Sequence, residues 1–200
     1  MDGKISALVL TFLCAAVGGG CATTAPSASL PTQLAAIKNF QCVSPGIYRG
    51  AQPDDDGMEA LKDLGIKTIV SLRVPQRLIK WEGHKADELD MHVVSLPLSN
   101  YDSPSDEDVS EFLTVVTDPA RQPVFIHCRQ GQLRTGALVA SFRVLEQGWT
   151  VEEAYAEAKR YGFDDLYPWY LPLKWFIKDL DRFPASARRT TAALPADLRD

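Results

Sequence analysis

One stretch of this chain decides its fold: His127-Cys128-Arg129-Gln130-Gly131-Gln132-Leu133-Arg134-Thr135-Gly136. It follows the apolar run 124–126 and precedes the helical pattern of residues 137–145, so it predicts a strand, a tight loop and the start of a helix. Loop amides in front of a helix converge, and the first helical turn adds unpaired N–H groups and the positive end of its dipole. The stretch therefore predicts a binding site for an anion such as phosphate.

Two side chains of this loop carry the chemistry. Cys128 opens the loop in the positive field of the helix, which lowers the pKa of a cysteine and favours its thiolate. Arg134 ends the loop with a planar fork of donors that matches two phosphate oxygens. Gly131 and Gly136 suit positions where a Cβ atom would crowd the anion or the helix start. The pattern predicts a charged sulfur nucleophile that faces a bound phosphate.

These residues resemble a known loop. A cysteine and an arginine separated by five residues, with His127 before them and Thr135-Gly136 at the end, resemble the phosphate-binding loop of the cysteine-dependent protein tyrosine phosphatases. The pattern His-Cys-x-x-Gly-x-x-Arg-Thr-Gly is similar to the dual-specificity branch. Residues 48–50, 64–68 and 72–73 are similar to the start of its bacterial and fungal-type atypical members. The resemblance covers residues from about 46 to about 162.

The loop and the resemblance together predict a mechanism that needs neither metal nor cofactor. Cys128 attacks phosphorus in line and gives a cysteinyl-phosphate, while Arg134 and the loop amides stabilise the equatorial oxygens. Water then hydrolyses this intermediate. Thr135 is placed to stabilise the departing thiolate with its hydroxyl. The residues expected to bind phosphate are Arg129, Gln130, Gly131, Gln132, Leu133, Arg134 and Thr135.

The resemblance also implies a general acid on a loop upstream of the cysteine. Asp102 lies in a matching strand–loop–helix context, although its spacing to Cys128 is shorter than is usual in the family. Asp106 is the alternative, but it has a second role as a negative charge at a helix start. Asp102 is therefore the predicted acid, which protonates the leaving group and then activates water.

Alternating strand and helix patterns predict an α/β fold, with a mixed central sheet flanked by helices, similar to that of the dual-specificity phosphatases. Strands are expected over residues 66–72 and 91–98, and a strand-like segment over 40–52. Ser105 is expected to cap one helix, and Thr150 with Glu153 to form the capping box of another. A last helix begins near Pro172. The site is expected at the carboxyl end of a central strand.

The N-terminus departs from this globular pattern. Residues 1–21 resemble a bacterial secretory signal, and the small residues before Cys21 resemble a lipoprotein processing site, where a lipidated Cys21 would tether the chain to a membrane. An ordinary signal peptide cut near residues 22–25 is the alternative. Either predicts export, to the periplasm or as an outer-membrane-anchored lipoprotein. Residues 22–38 are expected to be a flexible tether, 39–184 the phosphatase domain and 185–200 a mobile tail.

Composition limits the partners. The chain has 200 residues and a net charge of −5, so it offers no basic footprint for nucleic acid. The expected partner is a phosphorylated protein or a small phosphorylated metabolite. Of the four cysteines, two fall in the signal, and Cys42 and Cys128 remain. These two are able to pair and silence the nucleophile only if their Cα atoms lie within about 7 Å; otherwise Cys42 is a buried small residue.

The substrate stays open at this stage. The resemblance implies phosphotyrosine, phosphoserine or phosphothreonine, with inositol phosphates or other small phosphorylated molecules as the alternative. A sulfurtransferase also holds a cysteine in an anion loop, and a non-catalytic phosphate-binding module is a further alternative. A basic stretch between residues 74 and 90 is a candidate for the pocket wall, although a solvated helix or loop is the commoner explanation: Arg77, Lys80, Trp81, His84 and Lys85. Arg73 is a separate candidate for positive charge near the site, with a solvated strand end as the alternative.

Overall fold

The computed structural model describes residues 32–164 and 170–183. In chain order the elements are α1 (Thr32–Ala36), β1 (Gln41–Ser44), β2 (Ile47–Ala51), α2 (Asp55–Asp63), β3 (Thr68–Ser71), α3 (Gln76–Glu88), β4 (His92–Ser95), α4 (Asp106–Thr117), β5 (Val124–Cys128), α5 (Leu133–Leu145), α6 (Val151–Arg160) and α7 (Leu171–Lys178). A short 3₁₀ helix follows at Leu180–Arg182. The strands form one sheet in the order β1-β2-β5-β3-β4.

The sheet is mixed, as predicted. β1 pairs with β2 in antiparallel fashion, whereas β2, β5, β3 and β4 run parallel to their neighbours. All five residues of the central strand β5 are buried. Val124 and Ile126 belong to one apolar cluster and Phe125 to a second, as alternation along a strand requires when both faces are covered. The predicted α/β class with a helix-flanked central sheet is confirmed.

Local signals located most elements. Asp54 caps α2 with its side chain, so the acidic cluster at residues 54–56 starts a helix. The capping boxes of α4 and α6, begun by Ser105 and Thr150, are both present. The segment 40–52 was predicted as one strand-like stretch, but it forms the hairpin of β1 and β2. Gly46, at φ +78°, supplies the left-handed turn residue between them.

The predicted tether of residues 22–38 is too long at its carboxyl end. Residues 32–36 form α1, and Leu34 is buried with an exposure of 1%. Ile37 joins it in the second apolar cluster, and the amide of Ala51 donates to the carbonyl of Lys38 at 2.7 Å. Burial of these two apolar side chains fixes residues 32–38 on the domain. The predictions for residues 1–31 and 184–200 lie outside the described residues. Within the described part, no helix combines the length and apolar character needed to cross a bilayer.

The sheet register keeps Cys42 away from Cys128. Cys42 pairs with Tyr48, and Tyr48 pairs with Phe125, which lies three residues before Cys128. Across the sheet, the Cα atoms of Cys42 and Cys128 are two strand spacings of about 4.8 Å apart, and along it they are three residues of about 3.3 Å apart. This separation is far larger than the roughly 7 Å between Cα atoms that a disulfide spans. Cys128 is a free, buried thiol. A Cys42–Cys128 disulfide is therefore excluded as a control of the nucleophile in this fold.

Candidate active site

The cysteine loop lies at the carboxyl end of the central strand. Cys128 is the last residue of β5, and α5 begins five residues later at Leu133. Neighbouring strands end at the same edge: Ala51 of β2 is the register partner of Cys128, and the amide of Leu72 donates to the carbonyl of His127 at 2.9 Å. The loop 129–132 therefore joins a parallel strand to a helix N-terminus, which is the arrangement that binds anions.

Gly131 fixes the loop against β2. Its φ is +66°, and a Cβ atom there would lie 2.5 Å from the backbone carbon and oxygen of Gly50. The carbonyl of Gly131 accepts a hydrogen bond of 2.7 Å from Nη2 of Arg49. Only glycine allows this approach of two backbones. Residue 131 must therefore lack a Cβ atom because β2 lies so close to it, and not because a bound anion would be crowded.

Arg49 supports the loop from behind, a role that no motif in the sequence indicates. Its exposure is 1%, and its guanidinium lies 4.4 Å from the ring centre of Tyr161. Burial lowers the pKa of Arg49 to about 10, against the opposing charge of Glu157, so the side chain stays cationic at neutral pH. The resemblance over residues 48–50 marked the position without giving it a role.

Arg134 connects the ends of two further strands. Its Nη1 donates to the carbonyl of Leu72, after β3, at 2.9 Å and to that of Leu98, after β4, at 3.3 Å. The side chain is buried, and its Nε has no hydrogen-bond partner among the described residues. Two backbone carbonyls thus orient the guanidinium, while other N–H groups are left for an anion.

Cys128 has the properties of a nucleophile. Burial by itself raises the pKa of this thiol, but hydrogen bonding from Thr135 and then the charge of Arg134 and the amide of Gln130 lower it from 9.0 to about 7. The Thr135 hydroxyl is buried and has no other hydrogen-bond partner in the described residues. The structure brings Cys128, Arg134 and Thr135 together at the start of α5, and this arrangement favours the thiolate.

A buried acid–base pair lies behind the nucleophile. Nε2 of His127 is 2.7 Å from Oε1 of Glu82 on α3, and both side chains have an exposure of 0%. Nδ1 of His127 lies 3.2 Å from the carbonyl oxygen of Cys128. Both ring nitrogens of His127 therefore face oxygen atoms, which fix the orientation of the ring behind the loop. Glu82 was not recognised in the sequence, where it lies within a basic stretch.

The two candidate acids differ in their surroundings. Asp106 forms an ion pair of 2.6 Å with Arg182, so it is engaged at the start of α4. Asp102 is exposed in the loop between β4 and α4. That loop leaves the site at Leu98, which contacts Arg134, and Ser103 holds its other side by donating to the carbonyl of Pro172 at 3.0 Å. The loop that carries Asp102 therefore begins beside Arg134 and is attached through Ser103 to the start of α7.

The predicted basic stretch and Arg73 differ in their surroundings. Lys85 pairs with Glu59 at 3.3 Å and lies 3.7 Å from Glu88, so it is engaged on the outside of α3. Arg77 and Lys80 are exposed. Arg73, in contrast, is buried, and burial lowers the pKa of its guanidinium; the charge of Arg134 lowers it further, and Cys128 opposes this. Of these four cations, Arg73 is the one that the structure places beside the loop.

The sheet order and the cysteine loop together define an α/β protein with the dual-specificity phosphatase fold. The chain belongs to the family described as "DSP-PTPase phosphatase fused to NAD+ Kinase", whose sequence model matches residues 34–166.

Relatives and a solved structure agree with this assignment. The chain is 34% identical over 128 residues to the dual specificity protein phosphatase TpbA of Pseudomonas aeruginosa, strain UCBPP-PA14, which covers 64% of this chain and 56% of TpbA. It is 30% identical over 130 residues to the inositol diphosphatase DSP4 of Arabidopsis thaliana, with 62% and 64% covered. The crystal structure of a P. aeruginosa TpbA variant in complex with pTyr matches with a TM-score of 0.63 at 25% identity, over 76% of this chain and 91% of that one. The chain thus spans a little over half the length of these two curated relatives.

Proposed function

We propose that this chain is a cysteine-dependent phosphatase that hydrolyses phosphate monoesters through a cysteinyl-phosphate intermediate. The observation that carries the proposal is the free thiol of Cys128, whose pKa is lowered to about 7 between Thr135 and Arg134 at the start of α5. A sulfur that is ionised at neutral pH, in a loop built for an oxyanion, is suited to attack phosphorus.

The proposed reaction has two steps. The Cys128 thiolate forms a bond to phosphorus while the bond from phosphorus to the ester oxygen breaks, and the leaving oxygen takes a proton from Asp102. A water molecule, deprotonated by the same carboxylate, then attacks phosphorus and releases inorganic phosphate and the thiolate. Arg134 and the amides of residues 129–134 stabilise the charge on the equatorial oxygens throughout. Asp106 is less suited to proton transfer because Arg182 holds its carboxylate.

We assign phosphotyrosine, phosphoserine and phosphothreonine as the substrates in the first place. The similarity to TpbA supports them, since its variant is found in complex with pTyr. The similarity to the inositol diphosphatase DSP4 supports an inositol phosphate or another small phosphorylated molecule as the second candidate. A protein or metabolite that carries phosphate is the proposed partner in either case.

The test of the function is hydrolysis of an aryl phosphate and of phosphopeptides by the purified wild-type chain and by Cys128→Ser. We expect phosphate release that Cys128→Ser abolishes, because the mechanism has no other nucleophile. Binding of phosphate without turnover by the wild-type chain would indicate a binding module instead. Turnover of thiosulfate in place of phosphate esters would indicate a sulfurtransferase.

A second pair of variants assigns the acid. Asp102→Asn is expected to lower kcat on alkyl phosphates by about 10²- to 10⁴-fold, the usual contribution of general acid catalysis. Asp106→Asn removes a nearby carboxylate at the start of α4 and is expected to change kcat by less than about threefold. The reverse order of the two effects would assign the acid to Asp106.

We also propose that the chain is exported, anchored through a lipidated Cys21 or released after an ordinary signal cleavage. The support is the apolar run of residues 5–17 followed by small residues up to Cys21. Mass spectrometry of the mature N-terminus tests this proposal, and a protein that retains Met1 contradicts it.

A further inference from the structure

Asn39 reaches the cysteine loop from the segment between α1 and β1. Its Nδ2 donates to the carbonyl oxygen of Gln130 at 2.9 Å, although 91 positions separate the two residues in the sequence. The backbone next to Asn39 is tied to β2, because the amide of Ala51 donates to the carbonyl of Lys38 at 2.7 Å. Ala51 is also the register partner of Cys128. Asn39 is therefore fixed beside the strand end at which the loop begins.

The backbone conformation at position 39 favours asparagine. Its φ is +57°, in the left-handed region that most residues with a Cβ atom avoid. Asparagine enters this region at less cost than most other such residues, and its side-chain amide supplies the donor to Gln130. Glycine at this position would keep the backbone conformation, so Asn39→Gly removes the donor alone.

The hydrogen bond from Asn39 sets the direction of the following amide. The peptide unit between Gln130 and Gly131 is planar and trans, so its carbonyl and its N–H point in opposite directions. Since the carbonyl of Gln130 points to Asn39, the amide of Gly131 points away from it. Amides of a loop that leads into a helix N-terminus converge on a bound anion, and this orientation suits the Gly131 amide to that role.

The next peptide unit is held in the same way. Nη2 of Arg49 donates to the carbonyl oxygen of Gly131 at 2.7 Å, so the amide of Gln132 points away from Arg49. Side chains from outside the loop thus hold two consecutive carbonyls. Arg49 is a buried cation whose loss would disturb the packing around it, whereas Asn39 is neutral and only half-buried. A substitution of Asn39 therefore tests this arrangement without disturbing the core.

We infer that Asn39 is a positioning residue for the phosphate loop: by holding the carbonyl of Gln130, it turns the amide of Gly131 toward the bound anion. This inference rests on the proposed function, because it takes the loop as the phosphate site. Asn39 acts through the backbone rather than by contact with the substrate. Loss of its side chain releases the peptide unit, and the anion then loses a charge-assisted hydrogen bond.

Binding of inorganic phosphate tests the inference, because phosphate is the product of the proposed reaction and its binding needs no turnover. Calorimetric titration compares the wild-type chain with Asn39→Gly and with Asn39→Asp, which keeps the shape of the side chain but replaces the donor by an acceptor. We expect the affinity for phosphate to fall by about tenfold or more in both variants, as the loss of one hydrogen bond to a charged group predicts. The kcat/KM for aryl phosphates is expected to fall with it.

Asp90→Gly is the matched control. Asp90 also has a positive φ, +54°, and its exposed side chain lies 3.9 Å from Lys62. It precedes the amino end of β4, whereas the loop lies at the carboxyl ends of the parallel strands. The phosphate affinity of this variant is expected to stay within about twofold of wild type, because solvent and salt screen an exposed charge at that distance. Thermal unfolding of each variant checks that it folds.

The orientation of the amide has its own spectroscopic signature. In the wild-type chain, the nuclear magnetic resonance of the Gly131 amide proton is expected to move to lower field when phosphate is added, because that proton enters a hydrogen bond to an oxyanion. We expect a smaller movement in Asn39→Gly and the wild-type movement in Asp90→Gly. A change of stability alone does not produce this difference.

Two results overturn the inference. An unchanged phosphate affinity in Asn39→Gly and Asn39→Asp would show that Asn39 supports only the fold. An equal fall of affinity in Asp90→Gly would show that glycine at any left-handed position has this effect. A wild-type chain that binds phosphate but does not hydrolyse aryl phosphates would contradict the proposed function alone.

Discussion

Thr135 and Arg134 act on one sulfur atom from the first turn of α5. The lowered pKa of Cys128, about 7, lies below the ordinary value of 9.0, so its thiolate forms as the pH rises through 7 rather than through 9. Activity that depends on the thiolate therefore increases with pH across this window and is lost as the pH falls below it.

The hydroxyl of Thr135 is the first group to test at this scale. Thr135→Val removes a hydrogen bond to the thiolate while keeping a side chain of similar shape, so the midpoint for thiolate formation is expected to move from about 7 toward 9.0. The measurement is the rate of alkylation of Cys128 by iodoacetamide against pH, with the modified peptide identified by mass spectrometry. Thr135→Ser, which keeps the hydroxyl, is expected to retain the wild-type midpoint; an unshifted midpoint in Thr135→Val contradicts this role.

Elements meet at the site through backbone contacts as much as through side chains. β2 approaches the loop at Gly50 and Gly131, while Arg134 holds the chain after β3 and β4 by two carbonyls. The loop shape is thus set by three neighbouring strands. A residue that separates the loop from β2 changes the positions of the amides that bind phosphate.

Gly131→Ala tests this packing. The new Cβ atom would lie 2.5 Å from the backbone of Gly50, and φ +66° is strained for alanine by about 1–2 kcal/mol. Gly148→Ala is the matched control, because its φ is +69° and no atom lies within 4 Å of the added Cβ. We expect Gly131→Ala to lose more stability than Gly148→Ala, by at least about 1 kcal/mol, together with most of kcat/KM.

Chemical denaturation and aryl phosphate hydrolysis measure the two effects. Equal losses of stability in both variants would show that the φ angle alone matters at Gly131, and that the contact with β2 is relaxed at little cost. Full activity in Gly131→Ala would show that the amides keep their positions without that contact.

At the scale of the whole molecule, α6 supports the site through a buried ion pair. Arg143 on α5 donates from Nε and Nη2 to the two carboxylate oxygens of Glu157 on α6, at 3.0 and 2.6 Å. Arg143 also lies 4.3 Å from the ring centre of Trp149, and Glu157 acts on the charge of Arg49 behind the loop. The pair connects α5, which starts at the site, to α6.

Loss of one partner leaves a buried charge unpaired, so Glu157→Gln is expected to lower the free energy of unfolding by about 3–5 kcal/mol. Glu152→Gln on the same helix breaks the more exposed contact with Lys178 at 3.7 Å and is expected to cost less than about 1 kcal/mol. Urea denaturation of both variants measures the difference. Similar small losses would show that Arg143 finds another acceptor, such as Gln147, which already accepts from its Nη1 at 2.6 Å.

The sequence alone determined the parts of this protein that depend on neighbouring residues. The strand–loop–helix around Cys128, the caps at Ser105 and Thr150 and the burial of β5 follow from short-range patterns, because caps and periodicity act within a few residues. The same patterns did not separate β1 from β2, since a single glycine at a left-handed φ made the turn. They also missed α1 and the turn after it, because the buried residues Leu34 and Ile37 fall in a stretch of tether-like composition.

Only the tertiary structure decided which distant residues complete the site. Glu82 reaches His127, Arg49 reaches Gly131, and Asp106 is engaged by Arg182, in each case across a long interval of sequence. The burial of Arg73 likewise follows from the end of β3 lying beside β5. A buried charge takes its role from what surrounds it, and those surroundings form only when the sheet brings the ends of its strands together.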